Sequence, residues 1–187
     1  MLNISLEYEK SIVDVPPCEG NFSYDEELDD IESLIIDICD CLSETERVKF
    51  NVSGCGESQW PVDVWLHLST IVPQVPDVLM ALAKSKDVTL DFYEQGVGRV
   101  LHFHCHSHIV EVTCKDLFDT FEHPTKECID LSELKQMLTD FLKSFIYLAT
   151  IISPNIINHE MFQKWLKDIS PFLNLSSSTR LSKLKNL

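Results

Sequence analysis

Leu2, Ile4, Leu6 and Tyr8 alternate with polar neighbours, the period of a half-buried strand. The Pro16-Pro17-Cys18-Glu19-Gly20 run then breaks regular structure. Ile31, Leu34, Ile35 and Ile38 follow at helical spacing, with Asp29 and Asp30 where a helix N-terminus favours negative charge, so a helix is expected over residues 29–42. Leu34, Ile36 and Ile38 also alternate, which leaves a strand over 33–41 open. Val48 to Val52 reads as a short strand that ends at the turn-rich stretch Ser53 to Ser58. Helical spacing returns over Val64 to Ile71 and Val75 to Ala83, with Pro73 and Pro76 breaking the run or opening its second piece.

Three strands are expected next, over Val88 to Tyr93, Val100 to Cys105 and Ile109 to Cys114. Glu94 to Gly98 joins the first pair, and its glycines permit the positive dihedrals of a hairpin. From Leu131 to Ile152 the apolar set Leu134, Leu138, Phe141, Leu142, Phe145 and Leu148 marks a long helix, capped by Asp130 or Ser132 and closed by Pro154. A last helix over His159 to Ile169 places Phe162, Trp165, Leu166 and Ile169 on one side. The pattern predicts an α+β fold: a small, mostly antiparallel sheet packed against helices, with a helical C-terminal portion over residues 131–170. One domain is expected over residues 1–175, followed by a flexible basic tail over 176–187 that carries Arg180, Lys183 and Lys185.

Composition supports a folded chain, because 44% hydrophobic and 9% aromatic residues exceed what keeps a charged chain disordered. No run approaches the ~18 consecutive apolar residues of a membrane span, and the N-terminus lacks the basic start and apolar stretch of a secretory signal. The chain therefore reads as cytoplasmic. Seven cysteines form an odd count without a Cys-x-x-Cys unit, which favours reduced thiols over a disulfide framework or a zinc ribbon. Cys39 and Cys41, two apart on the expected helix, are poor joint ligands and fit the role of small buried hydrophobes.

Charge narrows the choice of partners. Residues 1–130 hold 26 acids and 8 bases, a net −18, whereas residues 131–187 hold 4 acids and 7 bases, a net +3. Such a surface repels nucleic acid and lipid phosphates and draws in basic proteins with fast, salt-sensitive association. The densest cluster is Asp25, Glu26, Glu27, Asp29 and Asp30, with Glu32 two residues on. These six are the candidate partner-binding residues.

The residues over 101–108 carry histidine at every second position: His102, His104, His106 and His108. If the segment stays extended, all four imidazoles leave one sheet face, a geometry that can hold zinc, and His102, His104 and His106 are the candidate ligands. Their charge change near neutral pH also makes a pH-responsive surface conceivable. Alternation with Phe103 and Cys105 is equally what a strand with a polar outer face shows, so no metal or other cofactor is assigned. Cys105 should point away from His104 and His106, which argues against a Cys-His nucleophile. Glycine-rich nucleotide loops, Gly-x-Ser-x-Gly and His-Glu-x-x-His are missing, and no catalytic residue is assigned.

The stretch from Phe50 to Val112 carries a resemblance. Phe50-x-Val52-x-Gly54-x-Gly56, Trp60-Pro61-Val62-Asp63-Val64, Leu68, Val72-x-x-Val75-Pro76-x-Val78, Asp91 to Gly96 and Arg99-x-Leu101 resemble the immunity proteins of bacterial polymorphic toxins, of the contact-dependent growth inhibition type. The matching stretch spans about a third of the chain. Leu66-His67, where relatives are often acidic, and the histidine-rich segment after Leu101 depart from the pattern. The resemblance implies that Trp60, Val62, Val64 and Leu68 are core, that residues 94–98 form a hairpin, and that the protein binds and neutralises one cognate toxin. A nuclease toxin is the expected partner, since its basic substrate surface would be covered by acidic residues that mimic phosphate charge. Such an inhibitor performs no chemistry and contacts neither nucleic acid nor membrane. The other readings are a metal-dependent enzyme built on the His102–His108 segment and a generic protein-binding adaptor.

Overall fold

A computed structural model describes residues 1–20, 22–25, 27–94, 97–116 and 125–173. The expected tail over 176–187, Glu26, and residues 95 and 96 of the expected hairpin lie outside them. Within them the chain is α+β, as its pattern predicts, with the strands divided between two antiparallel sheets. β1 (Asn3–Tyr8) pairs with β2 (Val48–Ser53) in one ribbon, and β3 (Val88–Phe92), β4 (Arg99–His106), β5 (Ile109–Asp116) and β6 (Thr125–Asp130) form a meander in the other. The helices are α1 (Ile31–Glu44), α2 (Leu66–Ile71), α3 (Val75–Ala83), α4 (Leu131–Ile152), α5 (Pro154–Ile157) and α6 (Glu160–Ile169).

α4 organises the core. Asp130 caps it by accepting from the backbone N–H groups of Ser132 and Glu133, and its apolar stripe from Leu134 to Ile152 packs against β1, α1, α3 and β6. Phe141 and Phe145 on this helix, with Trp60, Phe92, Phe103 and Phe162 elsewhere, are fully buried. Each contributes about 1.5–3 kcal/mol by leaving water, set against the entropy of ordering it. Trp60, Val64 and Leu68 are buried and Val62 packs against the core, the roles that the resemblance implies. Pro76 sits in the first turn of α3, where its missing N–H costs nothing.

One open alternative closes and two features depart from expectation. The segment over 33–41 is helical and the strand alternative falls away, because Asp30 caps the helix and Leu34, Ile35, Ile38 and Leu42 form a single buried stripe. Thr125–Asp130, unassigned in the sequence, is the edge strand β6. Cys18 and Cys41 form a disulfide, which corrects the expectation of reduced thiols throughout. In the broken segment after β1 the Cys18 N–H donates to Ile152 O, at the end of α4, at 2.7 Å, and this path brings Cys18 to within 5.9 Å of Cys41 on α1, Cα to Cα. Cys39, Cys55, Cys105, Cys114 and Cys128 are free thiols.

The two sheets meet at the turn that follows β2. Gly54, Cys55 and Gly56 take positive φ values of 125°, 56° and 85°. A Cβ on Gly54 would lie 2.8 Å from both Leu2 Cα and the Glu127 carboxylate, so the site needs glycine for space as well as for conformation. Glu127, on the inner side of β6, accepts from the Cys55 N–H and pairs with the Met1 amino group at 3.2 Å. Burial pushes this carboxyl upward, but the Cys55 N–H, the amino terminus and the Leu2 N–H outweigh it and hold the group below the usual range.

Candidate interaction surfaces

The acidic segment folds as a turn leading into α1. Asp29 N–H donates to Asp25 O at 2.8 Å, Asp25 N–H donates to the Asp29 carboxylate at 2.7 Å, and Glu27 N–H donates to the Asp25 carboxylate at 2.8 Å. Asp30 accepts from the N–H groups of Glu32 at 2.9 Å and Ser33 at 3.3 Å. The cluster thus divides by role: Asp25, Asp29 and Asp30 hold backbone, while Glu27 and Glu32 project into solvent. The structure brings these residues to one end of α1, where the helix dipole adds positive potential that partly offsets their charge.

Along α1 from this end lies a cleft of about 470 Å³, bounded on one side by Val15, Pro16, Cys18 and Phe22 and on the other by Asp37, Asp40, Cys41 and Glu44. The disulfide forms part of its wall. Tyr24 donates to Asp37 at 2.7 Å, and burial together with that bond pushes the phenol far above its usual value. Burial, then the charges of Asp37 and Glu44, push the Asp40 carboxyl upward, opposed by a hydrogen bond from Trp65. These carboxylates were not among the sequence candidates. Their spacing at 37, 40 and 44 is a helical i, i+3, i+7 pattern, which is the signal that could have marked them as one acidic stripe.

The histidine candidates lie on the solvent side of the meander. His102 and His104 point outward with parallel rings 6.3 Å apart, and His106 ends β4. His108 leaves the row: β4 and β5 join through Ser107 and His108, with Ser107 at φ 56°, so the extension expected through residue 108 stops at His106. His104 Nδ1 lies 3.0 Å from Asp87, whose carboxylate also accepts the Cys105 N–H at 2.9 Å. The hydrogen bond from His104 holds Asp87 below its usual range. Among the described residues no group of three or more His, Cys, Asp or Glu is placed to hold a metal ion. Cys105 turns from its histidine neighbours, and its thiol reaches Lys86 O at 3.4 Å.

Beneath the sheet, Arg99 and Glu57 form a two-pronged ion pair at 3.0 and 2.6 Å, with the guanidinium 4.6 Å from the Trp60 ring centre. Cys55 and Cys114 are buried beside it. Their shared hydrogen bond, then burial, push the Cys55 thiol up; the same bond, aided by the Arg99 charge, lowers Cys114 against the effect of burial. The residues Gly54, Trp60 and Arg99 that carry the resemblance are thus knitted into one buried scaffold. Among the described residues no helix is long and apolar enough to cross a membrane. Comparison of the chain with protein-family models, with curated proteins and with solved structures finds no match.

Proposed function

We propose that the protein is an immunity protein that binds one cognate polymorphic toxin in the cytoplasm and occludes its basic surface, the toxin being a nuclease. The observation that carries this reading is the concentration of carboxylates along α1, from Asp25, Glu27, Asp29, Asp30 and Glu32 at one end to Asp37, Asp40 and Glu44 at the other. A cationic active site built to grip phosphates would meet a row of carboxylates on a rigid helix, and inhibition would be steric and electrostatic. No reaction by this chain is required. The resemblance over Phe50 to Val112 supports the same reading through a shared scaffold of Gly54, Trp60 and Arg99.

The test is coexpression with the toxin domain encoded beside its gene, scored as growth, followed by affinity of the purified pair at low and high salt. Rescue with a one-to-one complex that weakens as salt rises is the expected result. Glu27→Lys/Glu32→Lys is the informative variant, because it reverses charge without touching the carboxylates that hold the turn and cap α1. Persistent toxicity with no complex would overturn the proposal, and unchanged affinity in the variant would remove this end of α1 from the interface.

A further inference from the structure

Trp65 and Tyr93 are 55% and 56% exposed, and Ile36 is 46% exposed. The three come from the residue before α2, the residue after β3 and α1, yet they line a single groove of about 150 Å³ together with Glu32 and Glu94. That volume is below the ~300 Å³ at which small-molecule pockets begin and suits one long side chain. The lining of the groove combines exposed aromatic rings with two carboxylates, over the buried Ser69 and Thr70.

We infer that this groove receives an arginine side chain from the surface of a basic protein partner, its guanidinium stacked on Trp65 and Tyr93 and paired with Glu32 and Glu94. Charge complementarity selects a cation, and the aromatic surface selects a flat, weakly hydrated one over a lysine ammonium. The molecule already contains the arrangement in closed form: Arg99 lies 4.6 Å from the Trp60 ring centre and grips Glu57 with two nitrogens. An exposed tryptophan and tyrosine ringed by polar residues also have the composition of an interface hot spot. For the source of the arginine the inference rests on the toxin-binding reading; the groove itself can be tested without a toxin.

The first measurement is a titration of the whole protein with the blocked peptide acetyl-Gly-Arg-Gly-amide, followed by the three tryptophan indole N–H resonances. A saturable shift of the Trp65 signal, with those of Trp60 and Trp165 unmoved, is expected, and the neutral citrulline peptide should bind about 10-fold more weakly, the loss of one charged contact. Equal response to the citrulline peptide, or no response at Trp65, overturns the inference. In the second measurement Trp65→Ala and Tyr93→Ala are compared with the unmodified protein for affinity to the toxin domain, with thermal midpoints recorded to show that both variants fold. A drop of ~10-fold or more in each is the hot-spot expectation. Unchanged toxin affinity in folded variants overturns the groove as the docking site. If the unmodified protein ignores the toxin while Trp65 still responds to the arginine peptide, the toxin reading falls and the groove stands.

Discussion

Arg99 lies with its guanidinium 4.6 Å from the centre of the Trp60 ring, joining the first strand position of β4 to the loop after β2. Glu57 completes the arrangement, and the Arg99 side chain keeps only 10% of its exposure. Removing one partner of such a pair leaves a charge facing an apolar interior without compensation. Arg99→Met should therefore cost about 3 kcal/mol of unfolding free energy in urea, towards the lower end for buried pairs because Glu57 stays partly solvated. The double variant Arg99→Met/Glu57→Gln should recover part of that loss. A cost below ~0.5 kcal/mol, the range of ordinary surface substitutions, would show that the pair does not hold the sheets together.

The Cys18–Cys41 bond closes a loop with a sequence separation of 23, tying the irregular segment before α1 to the helix itself. By loop-closure entropy it should contribute about 3 kcal/mol. Reduction, or Cys18→Ala/Cys41→Ala, should lower the thermal midpoint by ~6–12 °C for a chain of this size. Alkylation inside intact cells, followed by peptide mass mapping, decides whether the bond exists there, since the proposed cytoplasmic role would place it where thiols are ordinarily kept reduced. Modification of both Cys18 and Cys41 without prior reduction would show that it does not.

Asp30 has two properties that a pair of variants can separate. Its carboxylate caps α1 by accepting from the Glu32 and Ser33 N–H groups, and its charge adds to the acidic end of the helix. Asp30→Ala should cost about 1 kcal/mol, whereas Asp30→Asn keeps the cap and should be close to neutral. Chemical denaturation of both checks the structural half. If Asp30→Asn folds normally but binds toxin more weakly at low salt, with the difference shrinking at high salt, the charge itself is read by the partner.

Periodicity made α4 legible: Leu134, Leu138, Phe141, Leu142 and Phe145 repeat at helical spacing and are all buried. The same holds at β1, where Leu2 just before the strand and Ile4 and Leu6 within it are buried, while Tyr8, the fourth of the alternating set, is exposed at the strand end. β6 escaped because its inner residues are Thr125, Glu127 and Ile129, and one inward position is a carboxylate engaged with Cys55 and Met1 instead of an apolar side chain. The disulfide escaped because Cys18 lies in an irregular segment whose path is set by tertiary contact with α1 and Ile152. The acidic end of α1 was visible as a run of charge. The Trp65–Tyr93–Ile36 groove was not, because residues 36, 65 and 93 lie on α1, just before α2 and just after β3, and meet only once these elements pack together.

The histidine face makes a prediction about pH. Burial, then the charge of Lys115 and of His104, lower the affinity of His102 for a proton, with Asp91 acting in the opposite direction. A histidine whose folded value lies below its unfolded one contributes stability above about pH 6.5. As pH falls below that value the unfolded chain takes up a proton that the folded chain refuses, and stability declines until the folded imidazole also titrates. His102→Gln removes this term, so its urea midpoint should fall less than that of the unmodified protein between about pH 6.5 and 5, with the two curves parallel above pH 7.5. The carboxylates do not imitate the effect in this window: Asp40 and Asp91, raised by burial, favour the folded state as pH falls and so act with the opposite sign. Asp87, Glu111 and Asp130 are held below their usual values, so their contribution is lost only at lower pH, through their folded values. Identical slopes for the two proteins between pH 6.5 and 5 would show that His102 meets solvent as freely in the folded sheet as in the unfolded chain.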